Sequence, residues 1–158
     1  MEKVSINKDM HLSEHYTLGE VTKTSVKTAD GNIPSHVAIE NLRNLCENWL
    51  EDLRYSNNVL YGDMDMPIII TSGYRSPEVN KAVGGSPTSN HLTGCAVDIR
   101  CAGFEQALRY ANILMDIADG TKRDYDELFI ERSKQGRYWI HFAVRPKDNR
   151  RKTAFIQT

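Results

Sequence analysis

Residues 126–145 have the pattern of a β-hairpin, and no other part of the chain constrains the fold as strongly. Apolar residues recur at every second position in two stretches, 126–132 and 138–145, and the polar residues 133–137 lie between them. A period of two is typical of strands that bury one face. The two stretches are therefore predicted to pair as antiparallel strands joined by a loop of about five residues.

The register of this hairpin follows from burial. One face must hold all the apolar positions, namely Leu128, Ile130, Ile140, Phe142 and Val144. Each residue then pairs with one of the same parity, and Glu131 and His141 share the opposite face. With Glu131 opposite Trp139, Glu131 is diagonal to His141 at roughly 7 Å between Cβ atoms. A side chain and one water can bridge that distance.

The other elements give a mixed architecture. Apolar positions at three- and four-residue spacing predict two amphipathic helices. The first covers residues 34–56, begins at Pro34 and ends at the Asn57–Asn58 pair. The second covers residues 103–119 and ends at Gly120, with Phe104 and Leu108 in its buried stripe. Residues 67–72 and 95–100 are predicted strands, 78–83 a short helix and 84–89 a glycine-rich loop. The predicted fold class is α+β, with a small, mainly antiparallel sheet and helices packed on one face.

Two histidines and one aspartate form a candidate metal set. In the strand 95–100, Asp98 lies on the face opposite Cys95, Val97 and Ile99. Gly94 permits a turn that brings His91 and Asp98 to one point, and the hairpin turns His141 away from the core. Two imidazoles and one carboxylate suit zinc, and hydrolytic zinc sites use three protein ligands with the fourth position left to water.

The residues around this set resemble a known family. The pattern Ser89-x-His91-x-x-Gly94-x-Ala96-x-Asp98 is similar to the signature of the zinc D-Ala-D-Ala carboxypeptidase and L-Ala-D-Glu endopeptidase family, which cuts peptidoglycan peptides. Residues 72–80 resemble its arginine-bearing segment, and residues 139–141 resemble its last ligand strand. The similarity spans about residues 67–145 and all of the candidate chemistry.

The resemblance implies a zinc peptidase with a DD-peptidase or hedgehog-like fold. His91, Asp98 and His141 would hold Zn²⁺. Arg75 resembles the arginine of this family that binds substrate and stabilises the developing oxyanion. The alternative is that Arg75 only forms a surface ion pair with Glu78.

Two further side chains are predicted to contact substrate. Ser89 would hydrogen-bond the substrate or only cap its loop. Trp139 would form a pocket wall or only pack in the structure.

Glu131 is the predicted general base, which would take a proton from the attacking water. The carboxypeptidase and dipeptidase branches of the family carry an acid three positions before the last histidine, where this chain has Tyr138. Residues 126–131 resemble another branch, with an acid at the end of the preceding strand. Glu127 shares the parity of Glu131, but geometry favours Glu131. The alternative is that Glu131 has a structural role and forms a salt bridge at the end of the hairpin.

Composition excludes several classes. A net charge of −1 with interspersed acids and bases is not typical of a nucleic-acid-binding protein. Three cysteines without CxxC spacing indicate a reducing compartment rather than a disulfide framework. The chain begins without an apolar signal region and has no membrane-length apolar run. We therefore expect synthesis in the cytoplasm and no membrane partner. The protein would then act on the cell wall after release, as a phage lysin does, or handle recycled peptidoglycan fragments.

The predicted organisation is an N-terminal extension packed on the domain at 1–33, a peptidase domain at 34–146 and a basic tail at 147–158. The tail is expected to be solvated, with polyanion binding as its alternative. We expect a monomer whose partner is a peptidoglycan peptide. The rival functions are a non-catalytic cell-wall-binding or phage structural module that retains the metal, and an amidase at the sugar-peptide junction.

Overall fold

The computed structural model describes residues 6–62 and 65–158, and these form an α+β fold as predicted. The first five residues of the predicted N-terminal extension lie outside the described residues. The described residues form five α-helices: α1 (Leu18–Val21), α2 (His36–Leu45), α3 (Glu51–Tyr61), α4 (Pro77–Ala82) and α5 (Phe104–Thr121). The strands are β1 (Ile70–Ser72), β2 (Ala96–Cys101), β3 (Glu127–Arg132), β4 (Tyr138–Ala143) and β5 (Lys152–Gln157).

The strands form one sheet in the order β1-β2-β4-β3-β5. Every neighbouring pair is antiparallel except β3 and β5, which run parallel. The hairpin register is the predicted one, since Glu131 pairs with Trp139 and Leu128 with Phe142. β2 lies on the other side of β4 and pairs Asp98 directly with His141.

The first long helical segment starts later and ends later than predicted. Ser35 caps α2, a π-helical turn at Cys46–Leu50 joins α2 to α3, and Gly62 ends α3 with a φ of 68°. The predicted stop at Asn57–Asn58 is wrong. Asn57 is buried, and the amide of Asn58 bonds the backbone of Met66 instead, so this pair fastens the helix to the chain that follows it.

The helix α5 also differs from its prediction. Gly120 lies inside the helix, which ends when Lys122 adopts a left-handed φ of 55°. Phe104 and Leu108, predicted in its buried stripe, are 45% and 47% exposed. Phe104 packs on Tyr138 and Phe155 at the margin of the sheet rather than within the core.

The last residues are a strand and not a free tail. Residues 145–158, here called the C-terminal segment, return to β3, along which β5 runs in parallel from Glu127↔Lys152 to Arg132↔Gln157. The segment 152–157 is therefore a paired strand and not a free tail, whereas the expected exposure of its side chains is confirmed. Most side chains of β5 are exposed, so its sequence lacks the alternation of apolar residues that predicts a strand. The domain boundaries at residues 33 and 146 stay a prediction.

One core lies between the helices and one face of the sheet. Trp49 contacts Phe142 with ring centroids 5.2 Å apart, and residues 12–21 add Leu12, Tyr16, Leu18 and Val21 to the same core. Among the described helices, none is both long and apolar enough to cross a bilayer. The other face of β2, β4 and β3 carries the polar side chains of the candidate site.

Candidate metal centre

His91 lies in a short 3₁₀ turn, Asn90–Thr93, between a cap and a glycine. Ser89 begins the turn and accepts a hydrogen bond from the backbone N–H of His91 at 3.2 Å. Gly94 ends it with a φ of 73°, and a Cβ there would lie 2.4 Å from the carbonyl oxygen of Ala38. Only glycine fits this close approach, which presses the turn against α2.

The tautomer of His91 follows from its backbone contact. Nδ1 of His91 lies 2.6 Å from the carbonyl oxygen of Gly73. Because a carbonyl only accepts, Nδ1 carries the hydrogen. Nε2 is therefore the nitrogen that could bind a metal, and it lies 3.4 Å from Oδ1 of Asp98.

His141 is held on both sides of its ring. Nδ1 lies 3.2 Å from Oδ1 of Asp98, and Nε2 lies 3.0 Å from Oε1 of Glu127. The ring of Phe129 stacks on the imidazole at a centroid distance of 5.4 Å. Glu127 therefore fixes the ring so that Nδ1 faces Asp98 and His91.

The three side chains form a buried cluster that could hold a metal ion. One ligand atom from each of His91, Asp98 and His141 lies within 4.8 Å of the others. Two imidazole nitrogens and a carboxylate oxygen are a donor set that zinc accepts, with room for a non-protein ligand. The hydrogen bonds to Gly73 and Glu127 are the outer contacts that commonly orient metal-binding histidines.

Charges in the cluster compensate for its burial. Burial alone would raise the pKa of Asp98, but the neighbouring His91 and His141 hold it well below its usual range. Burial alone would lower the pKa of His141, but its hydrogen bonds to Asp98 and Glu127 raise it to about 9. A metal bound there would have to displace a proton from His141.

Arg75 lies beside this cluster and pairs with Asp98. Its Nη2 donates to Oδ2 of Asp98 at 3.2 Å, and its Nε donates to Oγ of Ser72 at 3.1 Å. Its backbone N–H donates to the carbonyl of His91 at 3.0 Å. The guanidinium is therefore fixed at the site, with N–H groups left for another ligand, and its recorded ion pair is with Asp98 rather than Glu78.

The two glutamates on this face have different environments. Oε2 of Glu131 accepts a hydrogen bond from Nε1 of Trp139 at 2.6 Å. Burial and the nearby charge of Asp98 raise the pKa of Glu131 above its usual value. The hydrogen bond from His141 lowers the pKa of Glu127 despite its partial burial. Glu127 contacts His141, whereas the described part of the chain places no hydrogen-bond partner on the second oxygen of Glu131.

A cleft of about 690 Å³ opens over the three ligand candidates. Besides those three, its walls include the predicted site residues Arg75, Ser89, Glu131 and Trp139, together with Glu127 and Lys152. Tyr138, at the position where some family members carry an acid, is turned from this cleft and packs on Phe104.

Sequence reasoning missed the groups that support the site. The alternation along β3 places Glu127 on the same face as Glu131, but it does not indicate that Glu127 is the partner of His141. Parity and the Phe129↔His141 pair would have placed Glu127 and Glu131 on opposite diagonals of His141. Arg150 carried no such signal, because its contacts depend on the unpredicted return of the C-terminal segment. Asn90 meets Asp126 and Glu127 only through the tertiary fold, which periodicity does not specify.

Comparison with known proteins identifies the family. The family described as Peptidase M15 matches residues 14–118, which is more than half of the chain and includes His91 and Asp98. No curated protein matches the chain. His141 and both glutamates lie beyond the matched residues, so their place in the site rests on the geometry above. From the match and the predicted signature together, the chain belongs to the peptidase M15 family.

Proposed function

We propose that this protein is a zinc-dependent peptidase that hydrolyses an amide bond in peptidoglycan stem peptides or cross-links. The observation that carries the proposal is the convergence of His91 Nε2, Asp98 and His141 Nδ1 at the floor of the cleft. Membership of a peptidase family supports the reaction class. The peptidoglycan substrate rests on the sequence signature alone.

His91, Asp98 and His141 would hold the zinc ion. When bound, zinc supplies Lewis-acid chemistry that polarises a carbonyl and makes water acidic near neutral pH. The second nitrogen of each imidazole is already engaged, by Gly73 and by Glu127. The rings would therefore need little reorientation to accept the ion.

Glu131 would act as the general base and then as the general acid. It would take a proton from the attacking water and give it to the leaving amine, which requires a carboxyl that holds a proton easily. Its raised pKa suits that second step. Arg75 would donate the N–H groups left free by Asp98 to the developing oxyanion, and Ser89 and Trp139 would contact the substrate.

Digestion of purified peptidoglycan tests the proposal. We expect the zinc-loaded protein to release peptides, a chelator to stop the release, and added zinc to restore it. Mass analysis of the fragments would show a new amine and a new carboxylate within the stem peptide or cross-link. Zinc binding without any cleavage would indicate a non-catalytic wall-binding module, and cleavage between sugar and peptide would indicate an amidase.

A further inference from the structure

The C-terminal segment contacts the hydrogen-bond network behind the ligand candidates. Asp126, the residue before β3, is inaccessible to solvent and accepts hydrogen bonds from the Arg150 side chain, Nε to Oδ1 at 3.0 Å and Nη2 to Oδ2 at 2.8 Å. Nε of Arg145 lies 3.2 Å from Oδ2 of the same carboxylate. A buried carboxylate with two arginines is held rigidly, because any displacement leaves a charge uncompensated.

Asn90 joins this carboxylate to the metal centre. Its Nδ2 donates to Oδ2 of Asp126 at 2.8 Å and to Oε1 of Glu127 at 2.7 Å, which uses both of its amide hydrogens. Its Oδ1 accepts from Nε of Arg145 at 3.0 Å. Asn90 is buried and precedes His91 in the chain. One side chain thus contacts the carboxylate that orients His141 while its backbone carries the turn that holds His91.

Arg150 also approaches Glu127 directly. Its Nη2 lies 3.8 Å from Oε2 of Glu127, the oxygen that His141 does not use. Glu127 therefore has an oriented hydrogen-bond donor on one oxygen and a cation near the other. Both contacts fix where its carboxylate meets Nε2 of His141.

We propose that Arg150, acting through Asp126, Asn90 and Glu127, is a positioning residue that holds His141 in its metal-binding orientation. The C-terminal segment is then part of the metal centre, although it supplies none of the ligand candidates. This inference rests on the proposed function, because it assumes that the cluster binds zinc. Outer contacts of metal-binding histidines change metal affinity about 10- to 100-fold when they are removed.

The test compares Arg150→Ala with Arg151→Ala in the full chain. Arg151 is the matched control, since it lies next in the segment and pairs with Asp119 and Asp124, two acids that do not line the cleft. Zinc affinity would be measured for each metal-free protein by competition with a chelating dye. The electronic spectrum of the Co²⁺-loaded proteins would report the ligand geometry directly.

We expect Arg150→Ala to bind zinc about tenfold or more weakly and to change the Co²⁺ spectrum, whereas Arg151→Ala matches the wild type. The backbone N–H of Arg150 still donates to Asp126 in this variant, which favours folding. Arg150→Lys keeps the charge without the two-pronged contact, so its zinc affinity should lie between those of wild type and Arg150→Ala.

Two results would overturn the inference in different ways. If the wild type binds zinc and Arg150→Ala binds it as tightly as Arg151→Ala does, the network is structural only and the inference fails alone. If the wild type itself binds no zinc, the proposed function fails and the inference fails with it. If Arg150→Ala does not fold, an Arg150→Lys variant with wild-type affinity and spectrum would also refute the positioning role.

Discussion

At the scale of single residues, two carboxylates beside the candidate metal centre have different environments. Glu127 and Glu131 lie on the same strand and face, separated only by Phe129 on that face. Glu127 accepts the hydrogen of His141 and its pKa is lowered, whereas the pKa of Glu131 is raised. A pair of acids whose environments move their pKa values apart is typical of a divided role.

This division predicts different effects for two matched substitutions. Glu131→Gln should reduce peptide release about 10²- to 10⁴-fold while zinc content stays at the wild-type level, because the variant loses only the proton carrier. Glu127→Gln should mainly weaken zinc affinity, and excess zinc should restore much of its turnover. Turnover and bound zinc would be measured together, with exposed Glu105→Gln as control. Unchanged turnover in Glu131→Gln would remove Glu131 from the mechanism.

At this scale the sequence predicted which residues meet and favoured Glu131 as the base, but it did not indicate that Glu127 contacts His141. The alternation placed Glu127, Glu131 and His141 on one face, because their neighbours Leu128 and Ile140 are buried and Ile130 packs against the core. The choice between base and orienting partner depends on a 3.0 Å contact between Glu127 and His141. Side-chain distances of that kind are set by tertiary packing, so the spacing of apolar residues in the sequence does not predict them.

At the scale of elements, the hairpin with a clear apolar face was predicted correctly, and the strand without one was not predicted. The hairpin β3–β4 has a clear apolar face, and its register was confirmed residue by residue. β5 has exposed side chains along almost its whole length, so its sequence looks like a tail. Its position comes from backbone pairing with β3 and from the contacts of Arg150 with Asp126.

The attachment of β5 predicts an acid-sensitive contribution to stability. Burial opposes the charge of Asp126, but the hydrogen bonds from Arg150 hold its pKa well below the usual range. A carboxyl with a lowered folded-state pKa stabilises the fold above its unfolded pKa of about 3.9 and loses that contribution as the pH falls further. The difference in free energy of unfolding between wild type and Asp126→Asn should therefore shrink below about pH 4.

Urea unfolding of both proteins between about pH 7 and about pH 3 measures this difference. Asp119→Asn is the control, because Asp119 is largely exposed and its pair with Arg151 should contribute little. A difference between wild type and Asp126→Asn that stays constant over this range would contradict the role assigned to the buried carboxylate.

At the scale of the whole molecule, one face of the sheet forms the hydrophobic core and the opposite face carries the candidate site. One face packs on the helices and forms the core, and the other carries the metal centre and the cleft. Zinc would join side chains from β2, β4 and the turn at Asn90–Thr93, so it should stabilise the entire fold. Only the folded chain has this arrangement, and a ligand that binds only the folded state raises its stability.

We therefore expect the melting temperature to rise with zinc concentration. At free zinc about 100-fold above Kd, the added stability is about 2.7 kcal/mol, and for a chain of this length each kcal/mol shifts the midpoint by about 2–4 °C. Thermal unfolding with zinc, with chelator and with His91→Ala measures the effect. His91→Ala should lose most of the shift; an equal shift in this variant would place zinc elsewhere on the protein.

Because side chains alternate between the two faces along β2 and β4, metal binding would report whether these strands have refolded in the native register. Asp98 lies between Val97 and Ile99, and His141 lies between Ile140 and Phe142. A strand that re-formed one position out of step would turn its ligand inward and an isoleucine or phenylalanine outward. Molecules recovered from denaturant could thus be sorted by a metal-chelation assay, since a slipped chain of native size and helix content would fail to retain the ion.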